Sequence, residues 1–119
     1  MTELGEVQER LANIVWANAP IASGGLAKIC ERELGWKRPT TYTVLRKLCE
    51  KGLMKNEDGV VTTLITRDKF YSAKSEQVVT ESFHGSLPAF IAAFISKQKL
   101  TPKEVDEIKS MIDEFKKEG

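Results

Sequence analysis

Apolar side chains recur at spacings of three and four residues along much of the chain, which is the period of one face of an α-helix. The first such stretch predicts a helix over residues 3–18, with Thr2 as its N-terminal cap. A second helix is predicted over residues 24–34 with Ser23 as its cap, and a third begins near Pro39. The pattern therefore predicts three short helices in the N-terminal part of the chain.

The period changes after the third helix. Residues 53–56 and 60–65 read as two strands, and the second of them is rich in β-branched side chains. The dipeptide Asp58-Gly59 lies between them, and this pair strongly favours the tight turn of a β-hairpin. We therefore predict a single small hairpin directly after the third helix.

A fourth helix is predicted over residues 67–84, with Thr66 as its cap. The alternative is a third strand at residues 69–71, following a turn at Arg67-Asp68. The helix is the preferred interpretation.

Two further helices complete the chain. Gly85 ends the fourth helix, and Ser86 is placed to cap the fifth. The segment Thr101-Pro102-Lys103-Glu104 has the pattern of a capping box and predicts a last helix over residues 102–117. We expect that helix to bury its apolar side chains Val105, Ile108, Met111, Ile112 and Phe115.

Three short helices followed by a hairpin is the element order of a winged helix-turn-helix domain. The fold class predicted from the sequence is therefore mainly α with a small β-hairpin. It consists of a winged helix-turn-helix DNA-binding domain over residues 1–65 and a helical dimerisation arm over residues 66–119.

Charge supports this interpretation of the third helix. The chain has a net charge of only +1, which excludes a polycation, so any nucleic-acid site must be local. Between residues 37 and 55, six basic side chains face a single acidic one, Glu50. The ordinary alternative is a solvated helix face, but the hairpin that follows favours a recognition helix. The predicted DNA-binding residues are Lys37, Arg38, Thr40, Tyr42, Thr43, Arg46, Lys47, Lys51 and Lys55.

These residues fall into two groups by role. The hydroxyls on the outward face of the helix, together with Arg46 and Lys47, can reach phosphates or base edges in the major groove. Lys37 and Arg38 stand where a helix cap is expected and cannot cap, so the positive end of the helix dipole predicts a phosphate site. Lys51 and Lys55 are expected to contact the DNA backbone.

The arm carries an apolar stripe that is too large to remain in water on a protruding element. Pairing with the arm of a second chain is favoured over packing against the chain's own first domain. A two-fold dimer of this kind would bind a palindromic DNA operator. The predicted dimerisation residues are Phe83, Leu87, Phe90, Ile91, Phe94, Ile95, Ile108 and Ile112.

The ordered set of motifs resembles the penicillinase-repressor family of winged-helix regulators. The stretches that carry the resemblance are residues 35–48, Glu50-Lys51-Gly52-Leu53, Phe83-His84-Gly85-Ser86-Leu87 and the region from Leu100 to Glu107. The resemblance implies a homodimeric repressor of resistance or stress genes.

In one branch of that family, a membrane sensor metalloprotease triggers cleavage in the arm. By this resemblance the bond maps to Ala93–Phe94. The wing tip Asn56-Glu57-Asp58 is acidic where relatives often carry basic residues, which argues against contact between the wing and the minor groove.

The remaining chemistry points to regulation rather than catalysis. No grouping of residues suggests an active site, a metal site or a cofactor site. Cys30 and Cys49 are expected to be small buried hydrophobes, with a redox- or ligand-responsive regulator as the alternative. A winged-helix protein-interaction module is the other alternative.

The chain is expected to be cytoplasmic and not inserted in a membrane. The apolar run at residues 88–95 is too short to span a bilayer, and the acidic N-terminus is not that of a signal peptide.

Overall fold

A computed structural model describes residues 3–118. These residues form six helices and a small three-stranded antiparallel sheet, so the predicted mainly α winged-helix fold is confirmed. The elements in chain order are α1 (Glu6–Asn18), β1 (Ile21–Ala22), α2 (Ser23–Leu34), α3 (Arg38–Glu50), β2 (Met54–Glu57), β3 (Val60–Thr63), α4 (Arg67–Ser82), α5 (Leu87–Lys97) and α6 (Pro102–Glu118).

Two predictions about the first helices need correction. α1 begins at Glu6 with Gly5 as its N-cap, three residues later than predicted; the predicted cap Thr2 lies outside the described residues. Ser23 does not cap α2 but forms its first residue, and its backbone N–H donates a 2.8 Å hydrogen bond to the carbonyl of Gly59. The first turn of α2 is therefore tied to the hairpin rather than closed by a side chain.

The hairpin is confirmed, with one more strand than predicted. Asp58 and Gly59 both have positive φ angles, 51° and 77°, as a tight two-residue hairpin turn requires. On its other side β3 pairs with the two-residue strand β1, with Ile21 opposite Val61. β3 is therefore the central strand of a sheet in the order β1-β3-β2.

The fourth helix is confirmed, so the alternative strand at residues 69–71 is wrong. Thr66 accepts a 3.1 Å hydrogen bond from the backbone N–H of Lys69 on its side-chain oxygen, which is the predicted cap. The helix ends at Ser82, two residues early, because His84 and Gly85 adopt left-handed backbone conformations.

The core lies in the N-terminal part of the chain. α1, α2 and α3 pack around it, and the sheet and the first turns of α4 close it. Its fully buried members include Leu11, Leu26, Leu48 and Val61. Phe70 of α4 is also buried against this core, so the beginning of α4 is part of the domain that carries α3.

The chain divides into two compact units, the first ending at Ser75 and the second beginning at Glu76. The division predicted at residues 65 and 66 stays a prediction. No single helix within residues 3–118 is long and apolar enough to cross a membrane. By length and composition alone, α4 and α5 pass that test only as a bent pair.

Candidate nucleic-acid interface

α3 presents two contrasting faces. Its inward side chains are buried in the core: Thr41, Val44, Leu45 and Leu48. Its outward side chains are Thr40, Thr43, Arg46 and Lys47, which are exposed, and Tyr42, which is half-buried. Packing against the core thus fixes the rotation of the helix about its axis. The predicted DNA-binding hydroxyls and cations of α3 therefore all lie on its solvent-facing side.

The cations of this face have no acidic partner in the part of the chain that the structure describes. Lys37, Arg38, Arg46 and Lys47 are all exposed, and none of them forms an ion pair within 4.0 Å anywhere in residues 3–118. An exposed cation without an intramolecular partner is available to a phosphate. We call these four residues together with Thr40, Tyr42 and Thr43 the recognition face.

The N-terminus of α3 belongs to the same surface. Lys37 is the N-cap residue, with an extended backbone and no side-chain hydrogen bond to the helix. The positive end of the helix dipole is therefore flanked by two cationic side chains, those of Lys37 and Arg38. This arrangement suits an anion, and the sequence prediction that neither residue caps the helix is confirmed for Lys37.

The other two predicted DNA-binding lysines have partners in the chain. Lys51 Nζ donates hydrogen bonds to the carbonyl of Glu3, at 2.8 Å, and to the side-chain oxygen of Gln8. Lys55 Nζ lies 2.9 Å from Glu57 Oε1 on the same strand. Unlike the cations of the recognition face, these two lysines are thus already bound to neighbouring groups of the protein. Their contact with DNA stays a prediction.

A cavity of about 320 Å³ lies between α3 and β2, lined by Tyr42, Leu45, Arg46, Cys49 and Asn56. Burial raises the pKa of the Cys49 thiol, and the same cause raises the pKa of Cys30 in the core. A raised pKa keeps a thiol protonated and slow to react with oxidants. The two cysteines therefore have the environment of packing residues.

The apolar stripe of the arm is largely exposed in the single chain. Phe83 and Phe90 are half-buried and meet edge to face with ring centroids 5.5 Å apart. Leu87, Ile91, Phe94 and Ile95 all lie on α5 and are exposed, with Phe94 at 47%. These side chains form one apolar face on a helix that has no buried residue of its own.

The prediction that α6 buries its apolar side chains is wrong for the single chain. Val105 and Ile108 are half-buried, but Ile112 is exposed, and Met111 and Phe115 are 70% and 75% exposed. The helix itself begins as predicted, because Thr101 and Glu104 exchange two hydrogen bonds of 3.1 Å and 2.9 Å in a capping box.

Ala93 and Phe94, the residues of the mapped cleavage site, both lie within α5 and are exposed. Among residues 3–118, no group of three or more His, Cys, Asp or Glu side chains is placed to hold a metal ion.

Sequence reasoning missed a polar cluster that joins α1 to α4. Its members are Glu9, Asn13, Arg67, Tyr71 and Lys74, which contact one another across more than fifty residues of sequence. No spacing in the sequence pointed to it, because each member alone reads as an ordinary surface residue.

Comparison with known proteins agrees with this architecture. A sequence model described as penicillinase repressor matches residues 4–114. The chain belongs to the penicillinase repressor family. The resemblance inferred from the sequence is therefore confirmed. The members of this family are transcriptional repressors.

Two relatives show how far this family member has diverged. The penicillinase repressor of Bacillus licheniformis is 20% identical over 118 residues, which cover 96% of this chain and 92% of the relative. The methicillin resistance regulatory protein MecI of Staphylococcus aureus strain N315 is 16% identical over 115 residues, covering 93% and 94%. The similarity is weak in identity but extends over nearly the full length of both proteins.

Proposed function

We propose that the chain is a homodimeric repressor that binds a palindromic operator in double-stranded DNA. The observation that carries the proposal is the recognition face. There, hydroxyls and cations that form no ion pair within residues 3–118 share the outer side of a helix held by the core. Arg46 and Lys47 read base edges or phosphates in the major groove, and Lys37 and Arg38 hold a backbone phosphate at the helix N-terminus.

The test is operator binding by Arg46→Ala. We first select bound fragments from a genomic or random DNA pool, at low and at physiological salt. On the recovered sequence, the Arg46→Ala protein is expected to lose about 5- to 150-fold in affinity, the range for a base contact of about 1–3 kcal/mol.

The matched control is Arg10→Ala, which removes the same side chain from the exposed face of α1. It is expected to bind nearly as well as the wild type. Equal binding by a folded Arg46→Ala protein would contradict the assignment of the recognition face. Recovery of only salt-sensitive, sequence-blind DNA would favour the alternative function, a protein-interaction module with the winged-helix shape.

The proposed dimer uses the apolar face of the arm. The support is the exposed set on α5, which is more apolar than a monomeric surface normally tolerates. Ile91→Asp combined with Phe94→Asp is expected to yield monomers in analytical ultracentrifugation, because two carboxylates cannot be desolvated in an apolar interface. Ser96→Asp is the matched control on the same helix, and a dimer that survives the double change would contradict this interface.

Relief of repression is proposed to follow cleavage between Ala93 and Phe94, triggered by a membrane sensor metalloprotease. The support is the family resemblance together with the exposure of both residues. Cells that carry the repressor and such a sensor, treated with penicillin as the probe that the relative's name suggests, should contain a fragment ending at Ala93, detectable by mass spectrometry. An intact chain under full induction would contradict the cleavage. The relatives' names connect them with penicillinase and methicillin resistance, and we propose a regulatory role of that kind for this chain.

A further inference from the structure

The first two turns of α4 are fastened to α1 by directional polar contacts. Tyr71 Oη donates a 2.6 Å hydrogen bond to Glu9 Oε1, and Lys74 Nζ lies 3.4 Å from the same oxygen. Glu9 is therefore the acceptor on α1 that holds two successive turns of α4.

A second set of contacts joins the same two helices. Arg67 Nε donates a 3.0 Å hydrogen bond to Asn13 Oδ1, and its guanidinium lies over the ring of Tyr71, 4.6 Å from the centroid. Asn13 Nδ2 in turn donates a 3.4 Å hydrogen bond to Tyr71 Oη. The four side chains of Glu9, Asn13, Arg67 and Tyr71 thus form one connected cluster, which we call the α4 anchor.

Apolar contacts lie beside the anchor, but they constrain the orientation of α4 less than its hydrogen bonds do. The ring of Phe70 is buried and lies 5.4 Å from the ring of Trp16 between centroids. Apolar burial is non-directional, so by itself it specifies the orientation of α4 less tightly than hydrogen bonds do. Hydrogen bonds weaken steeply away from their preferred angles, so the anchor specifies how the first two turns of α4 lie on α1.

We propose that the α4 anchor is a positioning element for operator recognition. It holds the first two turns of α4 on α1, and through them it restricts the half-site spacing that the dimer accepts. Glu9, Asn13, Arg67 and Tyr71 touch no DNA in this role; they act through the path of α4. This inference rests on the proposed function, because it requires a dimer on a two-fold operator.

The physical reason is the geometry of two linked binding events. Two recognition helices bind one face of DNA only when their separation matches the helical repeat. With a firmly held link, the second half-site is favoured at one spacing and excluded at others. When the link is loosened, the DNA-binding unit of the second protomer samples a larger volume. Its effective concentration at the best half-site spacing falls, and other spacings become accessible.

The test uses Tyr71→Phe in the full-length protein. This change removes the hydroxyl at the centre of the anchor and keeps the ring that packs against Phe70. Affinity is measured on the selected operator, on versions with one to four base pairs added or removed between half-sites, and on an isolated half-site. Dimerisation and thermal unfolding are recorded for the same samples.

We expect Tyr71→Phe to lower affinity for the best spacing by about two- to tenfold, the equivalent of one hydrogen bond. The ratio of the affinity at that spacing to the affinities at neighbouring spacings should fall by a similar factor. Half-site affinity and dimerisation should not change, whereas a merely structural role would weaken all DNA sites equally. Arg67→Met, which removes a different contact of the same anchor, should narrow the preference in the same way.

Ser72→Ala is the matched control, because Ser72 lies next to Tyr71 on α4 and is exposed. It should keep the wild-type spacing profile. A folded, dimeric Tyr71→Phe protein with the wild-type profile would overturn the positioning role while leaving the repressor function intact. A dimeric wild-type protein that prefers no spacing would overturn the positioning role alone, whereas a monomeric wild-type protein would overturn both.

Discussion

Lys55 Nζ and Glu57 Oε1 are 2.9 Å apart on β2, the edge strand of the β2–β3 hairpin that forms the wing. The positive charge of Lys55 is therefore balanced by the carboxylate of Glu57. Both side chains are largely exposed, and such an ion pair contributes little to stability. Its effect falls instead on the electrostatic potential that a DNA backbone would meet beside the recognition face.

Replacing Glu57 with Gln is therefore expected to strengthen DNA binding. The change removes a negative charge and frees Lys55 to meet a phosphate, so the slope of log affinity against log salt should steepen by about one unit. Filter binding or fluorescence anisotropy over a salt series measures both quantities. Glu118→Gln in the last turn of α6 changes the net charge equally and serves as the control; a slope that moves equally in both variants would contradict a local effect.

The core beneath the recognition helix is expected to be sensitive to truncation. Leu48 is fully buried, so Leu48→Ala should lower the free energy of unfolding by about 2–5 kcal/mol through lost burial and a residual cavity. Urea denaturation followed by circular dichroism measures the change. Lys47→Ala on the exposed side of the same helix should change stability by less than about 0.5 kcal/mol.

The capping box of α6 is expected to stabilise the arm. Thr101→Ala removes the acceptor for the Glu104 backbone N–H and should cost about 1 kcal/mol of helix stability. Amide hydrogen exchange should then rise in the first turn of α6. Ser110→Ala, exposed in the middle of that helix, is the control and should leave exchange in the first turn unchanged.

The charge of Glu9 predicts a pH dependence of stability. The hydrogen bond from Tyr71, the largest cause, and the nearby Lys74 and Arg67 hold the pKa of Glu9 below its usual value. The stabilisation is therefore present at pH values above the unfolded-state pKa and is lost as the pH falls through the lower folded-state pKa. Glu9→Gln should be less stable than the wild type at pH 7, and the difference should shrink in acid. Urea titrations between pH 7 and pH 3 provide the measurement, and a constant difference across that range would contradict the assignment.

The two cysteines are expected to react slowly. Because burial raises the pKa of both thiols, alkylation by iodoacetamide at neutral pH should be slower than for a free cysteine. Cys30 is fully buried and should react only when the domain opens, whereas Cys49 is half-buried and should react first. Mass spectrometry of timed samples measures the order. Loss of operator binding under mild oxidant would instead support the redox-responsive alternative.

Local signals in the sequence predicted the parts of the fold that local chemistry determines. The Asp58-Gly59 turn depends on two adjacent residues with positive φ, and the caps at Thr66, Ser86 and Thr101 depend on side chains within one helical turn. Each of these features was confirmed because its partners are neighbours in the chain.

Features that depend on distant partners were not predictable in the same way. The strand β1 is two residues long, and its pairing with Val60 and Val61 is recognisable only in three dimensions. The same strand pairing explains the wrong prediction for Ser23. Its backbone N–H donates to the carbonyl of Gly59, and the residue forms the first position of α2 rather than its cap. The α4 anchor likewise joins side chains from the two ends of the first unit.

The candidate site followed the same rule. The outward face of α3 was predictable because helical period and burial pattern agree over a single helix. The hydrogen bonds of Lys51 to Glu3 and Gln8 were not predictable, because a charged residue after a helix gives no sign of what it contacts across the domain.

The arrangement of the sheet has a consequence for the behaviour of the protein at high concentration. Its central strand β3 is paired on both sides, so the exposed edges are β1, with only two residues, and β2, which carries Lys55 and Glu57. Short edges and edges with charged side chains resist the addition of a strand from another molecule. We therefore expect the wings to resist joining into intermolecular β-structure when this repressor is concentrated.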